Sequence, residues 1–234
     1  MRRIGIVLVI TLVVAACGSS RGSKATAPSK PSTATSTPTD RPTGVAAAGL
    51  IRPADLPGWA HEPADNRGSA AEVKKLARDI PSCDNLVARI RDGDESHPSP
   101  RFSQADMKVR DTVDVYASTA RAAEQLDLYL DPSTIDCYRE LFRTAFTKQG
   151  LRVDSIDVSP IAVDHIGDGE FGFRLTGSVT SADRTTQFLS DQIGVQLGKY
   201  AMTFETFAST TAQLAELETT LLPRLVDRMK QAGA

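Results

Sequence analysis

Hydrophobic positions divide the chain into three regimes. Residues 4–14 form one apolar run, broken only by Gly5 and Thr11. Residues 18–49 show no periodicity at all. From Leu50 onward the apolar positions recur at helical or strand spacing as far as Gln231. In 107–117 they alternate: Met107, Val109, Val113, Val115 and Ala117 fall on one face, and Lys108, Arg110, Thr112, Asp114 and Tyr116 on the other. That is the pattern of a half-buried strand. Asp111 sits on the apolar face and breaks it. Ser118 is a good N-cap, so a helix is predicted over 119–130. Asp131-Pro132-Ser133 stops that helix and starts another over 134–148. The second helix carries an apolar face of Tyr138, Leu141, Phe142, Ala145 and Phe146, and Gly150 ends it.

The strand period returns after Gly150. Strands are predicted over 151–163, around Phe171, Phe173, Leu175 and Val179, and over 188–197. Gly198-Lys199 then turns into a fourth strand through Tyr200, Met202, Phe204 and Thr206. The helix predicted over 210–231 has the clearest periodicity of all, with Leu214, Leu217, Leu221, Leu225 and Met229 at three- and four-residue steps; Pro223 is expected to bend it. Weaker signals give a Pro-Gly turn before Trp59, short helices near 70–76 and 84–90, and an acidic loop over 92–100. Strands joined by short turns are antiparallel. The chain is therefore expected to be an α+β domain with an antiparallel sheet of about five strands. Its helices, including the long C-terminal one, pack on one face, and the other, more polar face is solvated or lines a cleft.

The N-terminal run is too short for a membrane-spanning helix, which needs about 20 apolar residues. Behind the basic Arg2-Arg3 it has the form of a secretory signal over 1–16. Val14-Ala15-Ala16-Cys17 resembles the bacterial lipobox: an aliphatic residue and two small ones before a cysteine whose thiol takes a diacylglyceryl group. The alternative is an ordinary secreted protein cut after Ala16. Gly18-Ser19-Ser20 also suits the first mature residues of a lipoprotein. Acylation of Cys17 implies two or three chains, enough for stable anchoring on the extracytoplasmic face of the cell membrane. Residues 17–49 then form a Ser/Thr/Pro-rich tether with almost nothing to bury, expected to be disordered. Its coil spans roughly 30 Å and its contour about 100 Å. A single folded domain over 50–231 follows.

Charge and cysteine content narrow the partners. Without Arg2 and Arg3 the mature chain holds 25 basic and 29 acidic residues, a net charge near −4. This argues against nucleic acid and against a polybasic membrane patch. Cys83 and Cys137 remain after lipidation of Cys17. In an oxidising compartment a disulfide between them is the default, with two buried thiols or a redox pair as alternatives. No C-x-x-C supports the redox reading, and the spacing of Cys and His residues does not suit a metal site.

Candidate chemistry is sparse. Gly167-Asp168-Gly169-Glu170-Phe171-Gly172 matches G-x-G-x-x-G, but a strand follows it where nucleotide binding needs a helix N-terminus. The simpler reading is a tight turn entering a hairpin. His61, His97 and His165 lie in predicted loops with no partner at fixed spacing. Asp92, Asp94 and Glu95 resemble part of a calcium loop, which Ser96-His97-Pro98 interrupts. Asp111 is either an acid of raised pKa or a residue near a strand end or paired with an arginine. No catalytic, cofactor-binding or metal-ligating residue is assigned, and no enzymatic activity is expected.

The whole arrangement resembles actinobacterial envelope lipoproteins, and the Ala-, Arg-, Asp- and Thr-rich composition fits a GC-rich genome. The elements that carry the resemblance are the lipobox, the tether, the Asp55-Leu56-Pro57-Gly58-Trp59 opening, one cysteine before the strand and one in the helices after Val115-Tyr116-Ala117-Ser118-Thr119, and the hairpins with a terminal helix. Over 50–231 it is similar to the group sharing the extracellular sensor domain of the mycobacterial kinase PknH. The resemblance implies a non-catalytic α+β sensor domain with a ligand cleft, and a Cys83–Cys137 disulfide. The expected partners are the membrane, through Cys17, and a small-molecule or lipid ligand. A docking module for another envelope protein is the alternative, and a hydrolase with a dispersed site the third reading.

Overall fold

The computed structural model describes residues 44–65, 70–182 and 184–234. The signal, the lipobox with Cys17 and most of the tether lie outside the described residues. The elements run α1 (Gly44–Gly49), β1 (Ala60–Glu62), α2 (Ala70–Ala77), α3 (Asp84–Arg89), β2 (Glu95–Pro98), β3 (Arg101–Gln104) and β4 (Met107–Val115). Then follow α4 (Thr119–Leu130), α5 (Pro132–Lys148), β5 (Arg152–Pro160), β6 (Gly169–Ser181), β7 (Arg184–Leu197), β8 (Tyr200–Ala208) and α6 (Thr211–Gln231). All strands join one antiparallel sheet in the order β1-β3-β4-β8-β7-β6-β5, and β2 lies end to end with β3 along the same edge of β4.

The α+β class and the antiparallel sheet are as expected, but the sheet has eight strands, not about five. The helices also lie on both faces. Strand alternation makes this plain. Val109 and Val113 of β4, Met202 and Phe204 of β8, and Ile193 and Val195 of β7 share one face, where they pack against Leu217, Leu221, Leu225 and Met229 of α6. The opposite parity holds Phe171, Phe173 and Phe188, which meet Tyr129 of α4 and Tyr138 and Phe146 of α5. Burying both faces removes far more apolar surface from water than one covered face would, at about 25 cal/mol per Å².

Local chemistry sets the element ends. Ser118 caps α4 by accepting the Arg121 amide, and Asp131 caps α5 by accepting the Ser133 amide, with Pro132 in the first turn. Thr210 and Gln213 form a capping box on α6. Gly198 takes a φ of +55° at the β7–β8 hairpin, where a side chain would be strained. Cys83, just before α3, is disulfide-bonded to Cys137 of α5, and both residues are fully buried.

The folded part starts earlier than the sequence suggests. α1 falls within the stretch read as tether, yet Val45, Ala46, Leu50 and Ile51 are buried in the α6-side core. Arg228 of α6 holds this segment, donating to the Leu50 carbonyl at 2.9 Å and to both Asp55 oxygens at 3.0–3.1 Å.

Candidate functional site

The sheet face under α4 and α5 is divided in two. Cross-strand rows run from polar residues on β4 and β8 to aromatic residues on β6. One row is Arg110, Glu205, Gln192 and Phe173; the next is Thr112, Thr203, Gly194 and Phe171; a third starts with Asp114 and Ala201. The helices seat on the aromatic half, where Phe171 and Phe173 are buried. On the polar half Arg110, Thr112, Asp114, Thr203, Glu205 and Gln192 are all half-buried. The result is a polar well whose floor is β4 and β8 and whose wall is the α4–α5 aromatic stack.

Gly194 makes the wall possible. A Cβ there would lie 1.9 Å from Phe171 Cε1, so the missing side chain lets the Phe171 ring lie over the strand. Tyr129 stacks on that ring at 4.4 Å with 9° between planes. Tyr138 lies 5.0 Å from Phe173 and 6.2 Å from Tyr129. The two tyrosine hydroxyls hydrogen-bond to each other, and both feel the charge of Glu205. Burial, first, and then the charges of Asp114, Glu205 and Asp92 push the Tyr129 phenol up to about 12, and burial raises Tyr138 as well, so both tyrosines stay neutral.

Charge in the well is partly internal. Arg110 Nε donates to Glu205 Oε2 at 2.6 Å, and its Nη1 lies 3.7 Å from Asp65. The Glu205 charge holds the guanidinium above its usual pKa against the opposing effect of burial. Asp114, at the far end, is raised to about 6, chiefly by burial, and its Oδ1 is buried with no hydrogen-bond partner. Thr112 and Thr203 lie between these ends. The arrangement groups hydroxyl donors, an arginine and carboxylates on one half-buried stretch of the sheet. That suits holding a polar ligand by several hydrogen bonds.

The residues singled out from sequence do not assemble there. Glu170 folds back to accept the Ile166 and Gly167 amides at 2.9 and 2.6 Å, and β6 starts at Gly169, so the glycine motif is a locked turn. His61 packs on Phe102, His97 bonds Glu95 at 3.1 Å, and His165 bonds Glu170 at 3.0 Å, on three separate parts of the surface. Asp92 accepts the Ala70 amide that opens α2, and Glu95 begins β2; the acidic loop therefore does not converge on a cation. Among the described residues no group of three or more His, Cys, Asp or Glu is placed to hold a metal. Asp111 is mid-strand, 1 % exposed, and accepts the Ile51 amide at 3.0 Å. Its pKa rises to about 7, from burial first, with the Ile51 and Ser99 hydrogen bonds and Arg228 opposing and Asp55 adding.

Comparison with known proteins adds little to this picture. No protein-family model matches the chain, and no curated protein matches its sequence. Among solved structures, the extracellular domain of PknH from Mycobacterium tuberculosis is similar over 74 % of this chain and 100 % of that one, with a TM-score of 0.38 and 8 % identity.

Proposed function

We propose that the chain is a membrane-anchored extracytoplasmic lipoprotein whose folded domain binds or senses a ligand without chemically changing it, and that the polar well is the binding site. The lipobox at 14–17 and the Ser/Thr/Pro-rich stretch behind it support the anchor and the extracytoplasmic address. The Cys83–Cys137 disulfide fits an oxidising compartment. The observation that carries the binding role is the half-exposed floor formed by Arg110–Glu205 and Thr112–Thr203 beside the hydroxyls of Tyr129 and Tyr138. A docking module for another protein calls for an apolar patch of several hundred Å²; among the described residues Leu130 is the one exposed large hydrophobic side chain.

Two measurements test this. A clickable palmitate analogue is expected to label the chain in cells and to be lost in Cys17→Ser. The mature Cys17→Ser chain, incubated with an envelope lipid and metabolite extract, is expected to retain a discrete mass in native mass spectrometry. Thr203→Lys, which fills the floor of the well, is expected to lose that mass while keeping its circular dichroism. A clean apo mass for the parent chain, or a ligand retained equally by Thr203→Lys, would remove the well as the binding site.

A further inference from the structure

A groove of about 450 Å³ crosses β5, β6 and β7 on the α6 side of the sheet, beyond the start of α6. Two cross-strand rows form its floor: Ser155, Ser178 and Gln187, then Asp157, Thr176 and Leu189. Residues 209–211, at the start of α6, close one side.

The lining is rich in neutral hydrogen-bonding groups. Ser155 and Ser178 share one hydrogen bond at 2.8 Å, which leaves a hydroxyl donor and several lone pairs over. Among the described residues the side chains of Thr176 and Gln187 have no protein partner, so both are available to a ligand. No lysine or arginine lines the groove. The guanidiniums around it are already engaged: Arg174 with Asp191 through two hydrogen bonds of 2.7 and 2.5 Å, Arg152 with Asp154 at 2.8 Å, and Arg139 with Asp136 at 2.6 Å and, at 3.8 Å, with Asp157 of the groove itself. An anionic phosphate would therefore have to compete with carboxylates already paired to these arginines, Asp157 of the groove among them. An acyl chain would meet hydroxyls and an amide along most of its length. A sugar ring carries hydroxyls around its rim and C–H groups on its faces, which suits this mixture of hydroxyl, amide and carboxylate around Leu189. The strand spacing of about 4.8 Å is also close to the length of one sugar unit, and the groove falls within the size range of small-ligand sites.

We propose that this groove binds a neutral polyhydroxylated ligand, a short glycan segment, through Thr176, Ser178, Gln187 and Asp157. The site lies on the opposite side of the sheet from the polar well and does not depend on it. The test is saturation-transfer NMR on the full chain in zwitterionic detergent micelles. The probes are maltose, cellobiose, gentiobiose and an α-linked mannobiose, with inorganic phosphate as competitor. Saturation is expected to reach the ring protons of at least one disaccharide at millimolar concentration, with no competition from phosphate. Gln187→Ala and Asp157→Ala, both at exposed positions, are each expected to weaken binding about tenfold, or ~1.4 kcal/mol. Thr176→Lys is expected to block it, while Lys148→Ala on the end of α5 leaves it unchanged. Transfer to none of the four sugars would overturn the proposal. So would transfer that phosphate abolishes, or transfer that survives all three groove variants.

Discussion

Gly194 decides how closely the α4–α5 layer approaches the sheet. With a Cβ built 1.9 Å from the Phe171 ring, Gly194→Ala must push Phe171 and, through it, the stacked Tyr129. The expected cost is about 3 kcal/mol of stability. Adding Phe171→Leu to that variant is expected to recover part of the loss in urea unfolding, because the smaller side chain gives the new methyl room. Equal stability of the single and double variants would show that the close approach is not the cause. Asp111 is the second decisive residue. Its pKa is raised from 3.8 to about 7, so folding takes up a proton. A raised acid contributes stability that is complete below the unfolded pKa and is lost as pH climbs through the folded one. Asn at this position keeps the neutral form and the acceptor for the Ile51 amide. Asp111→Asn is therefore expected to be near neutral below about pH 4 and increasingly stabilising as the pH rises to 8, by an amount on the order of 1–3 kcal/mol. Unfolding curves for the two proteins that shift in parallel with pH would contradict this.

At the scale of elements, the disulfide ties the start of α3 to α5 across 54 residues. Loop entropy puts its contribution at roughly 4 kcal/mol as an upper figure. Reduction, or Cys83→Ala with Cys137→Ala, is expected to lower the melting temperature while α6 and its core stay helical; an unchanged melting point would show that packing alone holds α3. The elements legible in the sequence were those with a period of their own. α5, α6, β4 and the β7–β8 hairpin carry enough apolar positions at regular spacing to declare themselves. β1, β2 and β3 are three or four residues long, and β2 ends at Pro98; only pairing with β4 or its neighbours makes them strands. α1 reads as tether because Val45-Ala46-Ala47-Ala48 is short and small, and its burial depends on Met229 and Val113, far along the chain. The second helical layer was hidden for a related reason. The aromatic parity of β6 and the aliphatic parity of β7 look alike in sequence, and only the register that sets Phe171 opposite Gly194 sends them to opposite faces. The well was illegible because Arg110 and Glu205 meet across 95 residues, and the tyrosines beside them read as ordinary helix core.

For the whole molecule, the buried acids set the response to pH. Asp111, Asp114 and Glu218 are raised to about 7, 6 and 8, in each case chiefly by burial, and for Glu218 also by a hydrogen bond with Asp191. All three bind protons on folding, so stability falls as pH rises from about 4 to 8. Hydrogen bonds from Ser209 and Ser133 hold Asp106 and Asp131 below the usual carboxylate range, and those from Thr180 and Arg152 do the same for Asp154. Their contribution is present above about pH 4 and is lost below it. The melting temperature is thus expected to peak near pH 4 and to decline towards pH 8. A peak at or above pH 7 would mean that these acids are charged in the native state.

The segment from α1 to Asp55 gives the domain a mechanical character as well. Any pull on the chain before Gly44 arrives at residues wedged between the C-terminal helix and the central strand, not at a loose end of the sheet. The Ile51–Asp111 bond and the Arg228 clamp on Leu50 and Asp55 stand close together along that path. Because both grip the same short stretch, one from the core and one from its partly buried edge, they share a load and fail together, not one at a time as in an unzipping hairpin. A domain hung in this way resists traction up to a threshold and then yields abruptly, exposing the apolar flank of α6 in a single event.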